Sequence, residues 1–290
     1  MKILISDSFH PSLPDRLAQF GEVTDDKSQV ADVNVVLIRS KTKCTKEYID
    51  NAPNLKLIIR GGVGLDNVDL DYAKEKGITV HNTPAASSVA VAELAFALML
   101  APPNRLVEGH NSMARGEWIK KELKRTELMG KTLGLIGIGR IGVELAKRAK
   151  AFGMTVIAYD KYVNQSDFAD MKALNEVLAQ ADYLSLHTPL TDETKGMINK
   201  DTISKMKDGV IIINTGRGKC VNEEDVVAAL ESGKIGTFAT DVWYSDPPPA
   251  ECPLLKAPNV LMTPHLGASS KENLLRIGDI IVDIISGFKI

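Results

Sequence analysis

A chain of 290 residues, 44% apolar and with a formal net charge of −2, can build two ordinary domains but has no charge excess to draw it to nucleic acid or an acidic membrane. Aromatic residues are only 5%, so the core must come from Ile, Val, Leu and Ala. Cys44, Cys220 and Cys252 form no C-x-x-C pair and none has a histidine at zinc-ligand spacing, so reduced thiols and no metal are expected.

The N-terminus, Met1 to Ser6, reads as a short strand and lacks the basic-then-apolar pattern of a signal peptide. Further strands are expected at Asn34–Ile38, Leu55–Ile59 and Ile78–Val80, with helices at Pro14–Phe20, Lys46–Asn51 and Leu70–Lys76. The strands are nearly continuous in Leu, Ile and Val, as parallel strands covered on both faces are. A helix then runs from about Ser87 to Ala101 and ends at Pro102-Pro103. Its Val91, Leu94, Ala95, Leu98 and Met99 share one face, which suits either burial within the monomer or a homodimer interface. The run Val89 to Leu100 contains Glu93 and is far short of the roughly 20 residues a bilayer requires, so a soluble cytoplasmic protein is expected. Arg105 to Glu127 is more polar and helical in part, and its Lys120, Lys121, Lys124 and Arg125 read as a solvated helix face or as a run from which one cation reaches a neighbouring subunit's phosphate site.

A second α/β unit begins at Leu133. Strands are expected at Leu133–Ile136, Thr155–Tyr159, Tyr183–Leu186, Val210–Ile213, Phe238–Ala239 and Val260–Met262. Helices alternate with them near Ile141–Phe152, Leu174–Ala179, Lys200–Met206 and Glu223–Glu231, which is the order of a doubly wound parallel sheet. A last helix, about Lys271 to Ile285, carries a broad Ile stripe that does not by itself say which domain it packs on.

The strongest local signal is Gly137-Ile138-Gly139-Arg140-Ile141-Gly142. A strand leads into it, a helix leaves it, and a second strand ends at Asp160. Gly137 permits the tight turn, Gly139 lets the backbone approach a pyrophosphate, and Gly142 lets helix and strand pack closely. The free N–H groups of the helix N-terminus then face the phosphates. Asp160 stands where an acid accepts from the ribose hydroxyls, and its charge repels a 2′-phosphate, so NAD is expected over NADP.

Ligands of open parallel sheets bind outside the carboxyl ends of the strands. Four late strands end in polar or special residues: His187-Thr188-Pro189, Asn214-Thr215-Gly216-Arg217-Gly218, Thr240-Asp241 and Thr263-Pro264-His265-Leu266-Gly267. Arg217 can grip a carboxylate with two parallel hydrogen bonds, and His265 is the natural acid/base, because histidine as a residue type exchanges protons near neutral pH.

These segments resemble the D-2-hydroxyacid dehydrogenases, and within them the phosphoglycerate dehydrogenases. The likeness rests on Asn214–Gly218, on Asp241-Val-Trp-Tyr-Ser-Asp-Pro-Pro, on Thr263–Ala268, and in the first half on Arg60-Gly-Gly-Val-Gly-Leu-Asp-Asn-Val-Asp69 and His81-Asn-Thr-Pro84. It implies a Rossmann dinucleotide domain at 87–269 and a smaller flavodoxin-like substrate domain at 1–86 with 270–290. It implies NAD as cofactor, and hydride transfer at C2 of a small 2-hydroxy acid with Arg217 and His265 as catalytic residues. Where the family has a Glu before the Pro, this chain has Asp246, one methylene shorter, so a direct contact with His265 needs a closer backbone or a bridging water. Glu251 lies nearby but off the motif position.

The resemblance further implies that Thr215 and Asp241 touch the nicotinamide end of the cofactor and that Thr188 lies beside its adenosine end; His187, Pro189, Gly216, Arg217, His265, Gly267 and Ala268 are also expected to bind it. Backbone near Gly62 and Val63, with Asn82, would bind the substrate carboxylate, and the first domain's strand ends are expected to face the same cleft. Arg39, Ser40 and Lys41 would suit a phosphate, as the Arg-Ser pair of the phosphoglycerate enzymes does; a solvated basic turn is the plain alternative. The expected protein is thus an NAD-dependent dehydrogenase of 3-phosphoglycerate, with a glyoxylate or hydroxypyruvate reductase as nearest alternative and a non-catalytic NAD(H) sensor as a more distant one. No serine-binding regulatory domain is expected after Ile290, although a longer native C-terminus is left open.

Overall fold

The structure is a computed structural model, described here over residues 1–289. It divides into two compact units, Met1–Ala90 with Ala268–Ile290, and Val91–Gly267.

The first unit holds β1 (Lys2–Ile5), β2 (Glu22–Thr24), β3 (Val35–Ile38), β4 (Leu57–Arg60) and β5 (Thr79–Asn82), all parallel, in the order β2-β1-β3-β4-β5. The order reverses between β1 and β3, so that pair is the switch point. Side chains alternate across the sheet with the strand's period of two. Leu4, Val36, Ile38 and Ile58 enter one core, while Ile3, Val35, Leu37, Leu57 and Ile59 enter the other. The last helix, Lys271–Gly287, answers the question its stripe left open: Ile277, Ile281 and Ile285 are buried in this second core.

The second unit holds β6 (Thr132–Ile136), β7 (Thr155–Tyr159), β8 (Asp170–Met171), β9 (Tyr183–Leu186), β10 (Val210–Asn214), β11 (Ile235–Thr240) and β12 (Val260–Met262). They pair in parallel in the order β12-β11-β10-β9-β6-β7-β8, which reverses between β6 and β9. Leu133 and Leu135 of β6 point into one core and Ile136 into the other. Both units are therefore doubly wound α/β sheets of the Rossmann and flavodoxin-like orders.

Several expectations shift. Two of the four edge strands, β2 and β8, are three and two residues long and rich in polar residues, so a search for apolar runs passes over them. Arg60, Asn82, Asn214 and Thr240 are the last residues of their strands, not the first of the following loops, because the backbone ladder continues after the apolar side chains stop. On the face read for helix Ser88–Leu100, Val91, Ala95, Leu98 and Met99 are at most 7% exposed, and Leu94 is partly buried against the core that holds Ala95, Leu98 and Met99. Only Leu106–Ala114 of the following stretch is helical; Lys120, Lys121, Lys124 and Arg125 lie in turns and irregular chain, not on a helix. Ala268, expected with the dinucleotide domain, falls in the first unit.

Candidate active site

The β6 turn sits at the second unit's switch point. Its glycines answer to different neighbours. Gly137 has φ +98°, and a Cβ there would meet the His187 carbonyl oxygen at 2.7 Å. A Cβ on Gly142 would meet the Gly137 carbonyl oxygen at 2.4 Å. A Cβ on Gly139 meets nothing within 4 Å, so open space lies where the backbone would approach a pyrophosphate. Gly139 caps helix Arg140–Ala151 without any side-chain hydrogen bond, which leaves the first N–H groups facing outward.

Asp160, just past β7, is turned toward this glycine turn. Its Oδ2 accepts from the Ile138 N–H at 2.9 Å, and its Oδ1 from those of Tyr162 at 2.8 Å and Val163 at 3.2 Å. On the other side of β6, His187 begins the loop after β9. Burial pushes its imidazole down to about 4, so the ring is neutral at physiological pH. Its Nε2 is 2.9 Å from Ser185 Oγ, whereas Nδ1 is buried without a partner. Thr215 Oγ1, past β10, is likewise buried and unpartnered. Two orphaned polar atoms, an open glycine cradle and an uncapped helix N-terminus on one sheet edge fit a dinucleotide.

Arg217 and His265 follow β10 and β12, the strands on either side of β11. The loop after β10 is tightened by Asn214, whose Oδ1 accepts from the Gly216 N–H at 3.1 Å and whose Nδ2 donates to the Arg217 carbonyl at 3.0 Å. Arg217 Nη1 donates to the Gly216 carbonyl at 2.8 Å. His265 has φ +57°, a left-handed backbone that turns its side chain out of the loop after β12. Its Nδ1 lies 2.5 Å from Asp246 Oδ2. The shorter acid thus reaches the ring directly, with no bridging water needed. Sequence reasoning did not see what holds this loop. Asp241 is 1% exposed, and its carboxylate gathers the loop around itself. Oδ1 accepts from Thr263 Oγ1 at 2.6 Å and from the Leu266 N–H at 2.7 Å, and Oδ2 from the Gly267 N–H at 2.8 Å.

In the first unit, the loop after β4 opens with Gly62 at φ +153°, where a Cβ would run into the Arg60 guanidinium. Asn82 Nδ2 donates to the Val63 carbonyl at 2.5 Å, so Asn82 shapes this loop. The turn after β3 is a separate construction. Asp7 Oδ2 accepts from the N–H groups of Arg39 at 2.6 Å and Thr42 at 3.0 Å, and Asn67 Nδ2 donates to the carbonyls of the same two residues. A cavity of about 830 Å³ opens at the β1/β3 switch point, lined among others by Ser8, Lys27, Arg39, Ser40 and Lys41. The Arg39 guanidinium is already engaged: Nη2 donates to the Ala268 carbonyl at 2.8 Å, and Nη1 lies 3.4 Å from that of Ser8. Asp7 stands in no recognisable motif, and Asn67, although inside the Arg60–Asp69 segment, carries no local sign of this contact.

All three cysteines are buried as free thiols. Among the described residues no group of three or more His, Cys, Asp or Glu is placed to hold a metal, and no helix is long and apolar enough to cross a membrane.

Comparison with known proteins agrees with this geometry. The NAD binding domain of D-isomer specific 2-hydroxyacid dehydrogenases matches residues 96–267. The chain belongs to that family and is an NAD-dependent dehydrogenase. It is 48% identical to a hydroxypyruvate reductase of Thermotoga maritima over 259 residues, covering 88% of this chain and 85% of that one. It is 42% identical to a D-3-phosphoglycerate dehydrogenase of Methanocaldococcus jannaschii over 98% of its own length, but spans only 57% of that relative. A D-lactate dehydrogenase of Aquifex aeolicus, solved with NAD and lactic acid, superposes with a TM-score of 0.88 at 32% identity, covering 99% of this chain and 95% of that one.

Proposed function

We propose that the protein is an NAD-dependent D-3-phosphoglycerate dehydrogenase, transferring a hydride between 3-phosphoglycerate and NAD to give 3-phosphohydroxypyruvate for serine synthesis. The observation that carries this reading is the cavity at the β1/β3 switch point, whose lining sets Ser40, Lys41 and Lys27, a hydroxyl and two cations for a phosphate, beside Asp25 and an Asp7 already engaged by the N–H groups of Arg39 and Thr42. Arg39 supports it chiefly by holding the turn, since its guanidinium serves the Ala268 and Ser8 carbonyls.

In this reading, residues 1–86 and 270–290 bind substrate and 87–269 bind the dinucleotide. Gly137, Gly139, Arg140, Ile141 and Gly142 hold its pyrophosphate, and Asp160 its adenosine ribose. His187, Thr188 and Pro189 border the adenosine end; Thr215, Gly216, Asp241, Gly267 and Ala268 border the nicotinamide end. The N–H groups around Gly62 and Val63 bind the substrate carboxylate together with Arg217, which also polarises the bond at C2. His265 takes the hydroxyl proton at Nε2 during oxidation and returns it during reduction. Asp246 accepts from Nδ1, which fixes the orientation of the ring. When bound, NAD accepts the hydride that leaves C2. The protein works in the cytoplasm as a homodimer. Buried free thiols suit a reducing compartment. Leu106, Val107, Met113 and Trp118, each at least 49% exposed, form the apolar surface offered to a second copy.

A second reading, hydroxypyruvate reductase, is favoured by the 48% identity to the Thermotoga maritima enzyme and by the engagement of Arg39. Loss of NADH absorbance with 3-phosphohydroxypyruvate, hydroxypyruvate and glyoxylate, measured side by side, separates the two. A kcat/KM preference of about tenfold or more for the phosphorylated acid, lost in Lys41→Ala, is expected. Equal or better turnover of hydroxypyruvate overturns the phosphate reading and keeps the dehydrogenase.

A further inference from the structure

Asp160 is followed at once by a cation, Lys161, at the rim where the adenosine ribose belongs. A cation there would ordinarily welcome the 2′-phosphate that Asp160 repels. The structure shows this cation to be occupied. Lys161 Nζ lies 2.5 Å from Glu193 Oε1. Glu193 stands in the loop after β9, whereas Lys161 follows β7, and β6 lies between those strands. The pair therefore spans the mouth of the β6 glycine turn from one flank to the other.

The acidic end of the pair is the better fixed. Thr194 Oγ1 donates to the Pro189 carbonyl at 2.7 Å and accepts from the Thr191 N–H at 2.8 Å. The Lys195 N–H donates to the Thr191 carbonyl at 2.9 Å, and that of Gly196 to the Lys219 carbonyl at 2.9 Å. The turn carrying Glu193 is thus tied at four points, while Lys161 hangs on a flexible four-carbon stem. Both side chains are about half or more exposed, so the pair adds little to stability. Its effect is on where the ammonium sits. Glu193 also raises the affinity of Lys161 for its proton, so the lysine stays charged and paired.

We propose that Glu193 is a specificity-determining residue for the cofactor: by holding Lys161 across the mouth, it withholds the cation that would otherwise bind a 2′-phosphate. Asp160 excludes NADP by repulsion, and Glu193 by removing the attraction. This rests on the reading of Asp160 as the ribose ligand.

The test is the affinity of the purified protein for NADH and NADPH, titrated by calorimetry. Glu193→Gln should tighten NADPH about fivefold while moving NADH by less than about twofold, the range expected of one exposed charge pair. The gain should shrink as salt is raised, because the freed ammonium is solvent-exposed. It should vanish in Lys161→Ala/Glu193→Gln. An unchanged NADPH-to-NADH ratio in Glu193→Gln, or a gain that survives Lys161→Ala, overturns the proposal. Asp160→Ala separates the two layers. If that variant leaves the ratio unchanged, the ribose reading has failed; if it relaxes the ratio while Glu193→Gln does not, only the Glu193 proposal has.

Discussion

Two turns in this protein are built with the same device and put it to different use. After β3, Asp7 gathers the N–H groups of Arg39 and Thr42; near β12, Asp241 gathers those of Leu266 and Gly267. In each a carboxylate from a neighbouring strand end satisfies loop N–H groups that have no ladder to join. The loop around Asp241 presents His265 on a left-handed residue, with one ring nitrogen on Asp246 and the other left over. The turn around Asp7 presents Arg39, whose guanidinium is drawn back onto the protein's own carbonyls. A pinned loop is thus not in itself a mark of chemistry. What the pinned side chain has left to offer decides.

The contrast can be broken at three places. Replacing His265 by Asn should lower kcat by about a thousandfold, since a general acid/base contributes roughly 10² to 10⁴; a variant retaining most of its turnover would remove His265 from the mechanism. Asp241→Asn comes next. Both of its oxygens accept backbone N–H groups, so one loop N–H must face the new amide, leaving two donors opposed. A loss of about 2 kcal/mol is expected in urea unfolding, the usual cost of a buried donor without an acceptor. Asp7→Asn should be the mildest. Its backbone N–H groups both fall on Oδ2, while Oδ1 meets only the Thr42 hydroxyl, which can turn to donate to Ser6 Oγ, 2.9 Å away. About 1 kcal/mol or less is expected. If Asp7→Asn proved the costlier of the two, the comparison would be reversed.

These contrasts also mark where the sequence is legible. The two parallel sheets, the glycine turn and the polar strand ends follow from local residue type: continuous Leu, Ile and Val runs, glycine at a strand-to-helix turn, and His, Arg or Asp where the apolar run stops. The supports of the loops do not. Asp7 reaches a turn some 32 residues ahead, and Asp241 one 25 ahead, with nothing nearby to announce either. Arg39 illustrates the limit best. An arginine beside a serine at a strand end reads as an anion site, yet its partner is a carbonyl 229 residues away. The direct contact of Asp246 with His265 was equally hidden, because it depends on how near two loop backbones approach. The short polar edges β2 and β8 escaped because they bury little.

The three glycines of the β6 turn carry a last consequence, for how such a motif is inherited. Gly137 and Gly142 are required by the protein's own carbonyls, those of His187 and Gly137, whatever is bound. A descendant that had lost its dinucleotide would still need both in order to fold. Gly139 faces open space, and an alanine there would cost the fold nothing by contact. In a lineage released from its cofactor, position 139 is the one free to drift.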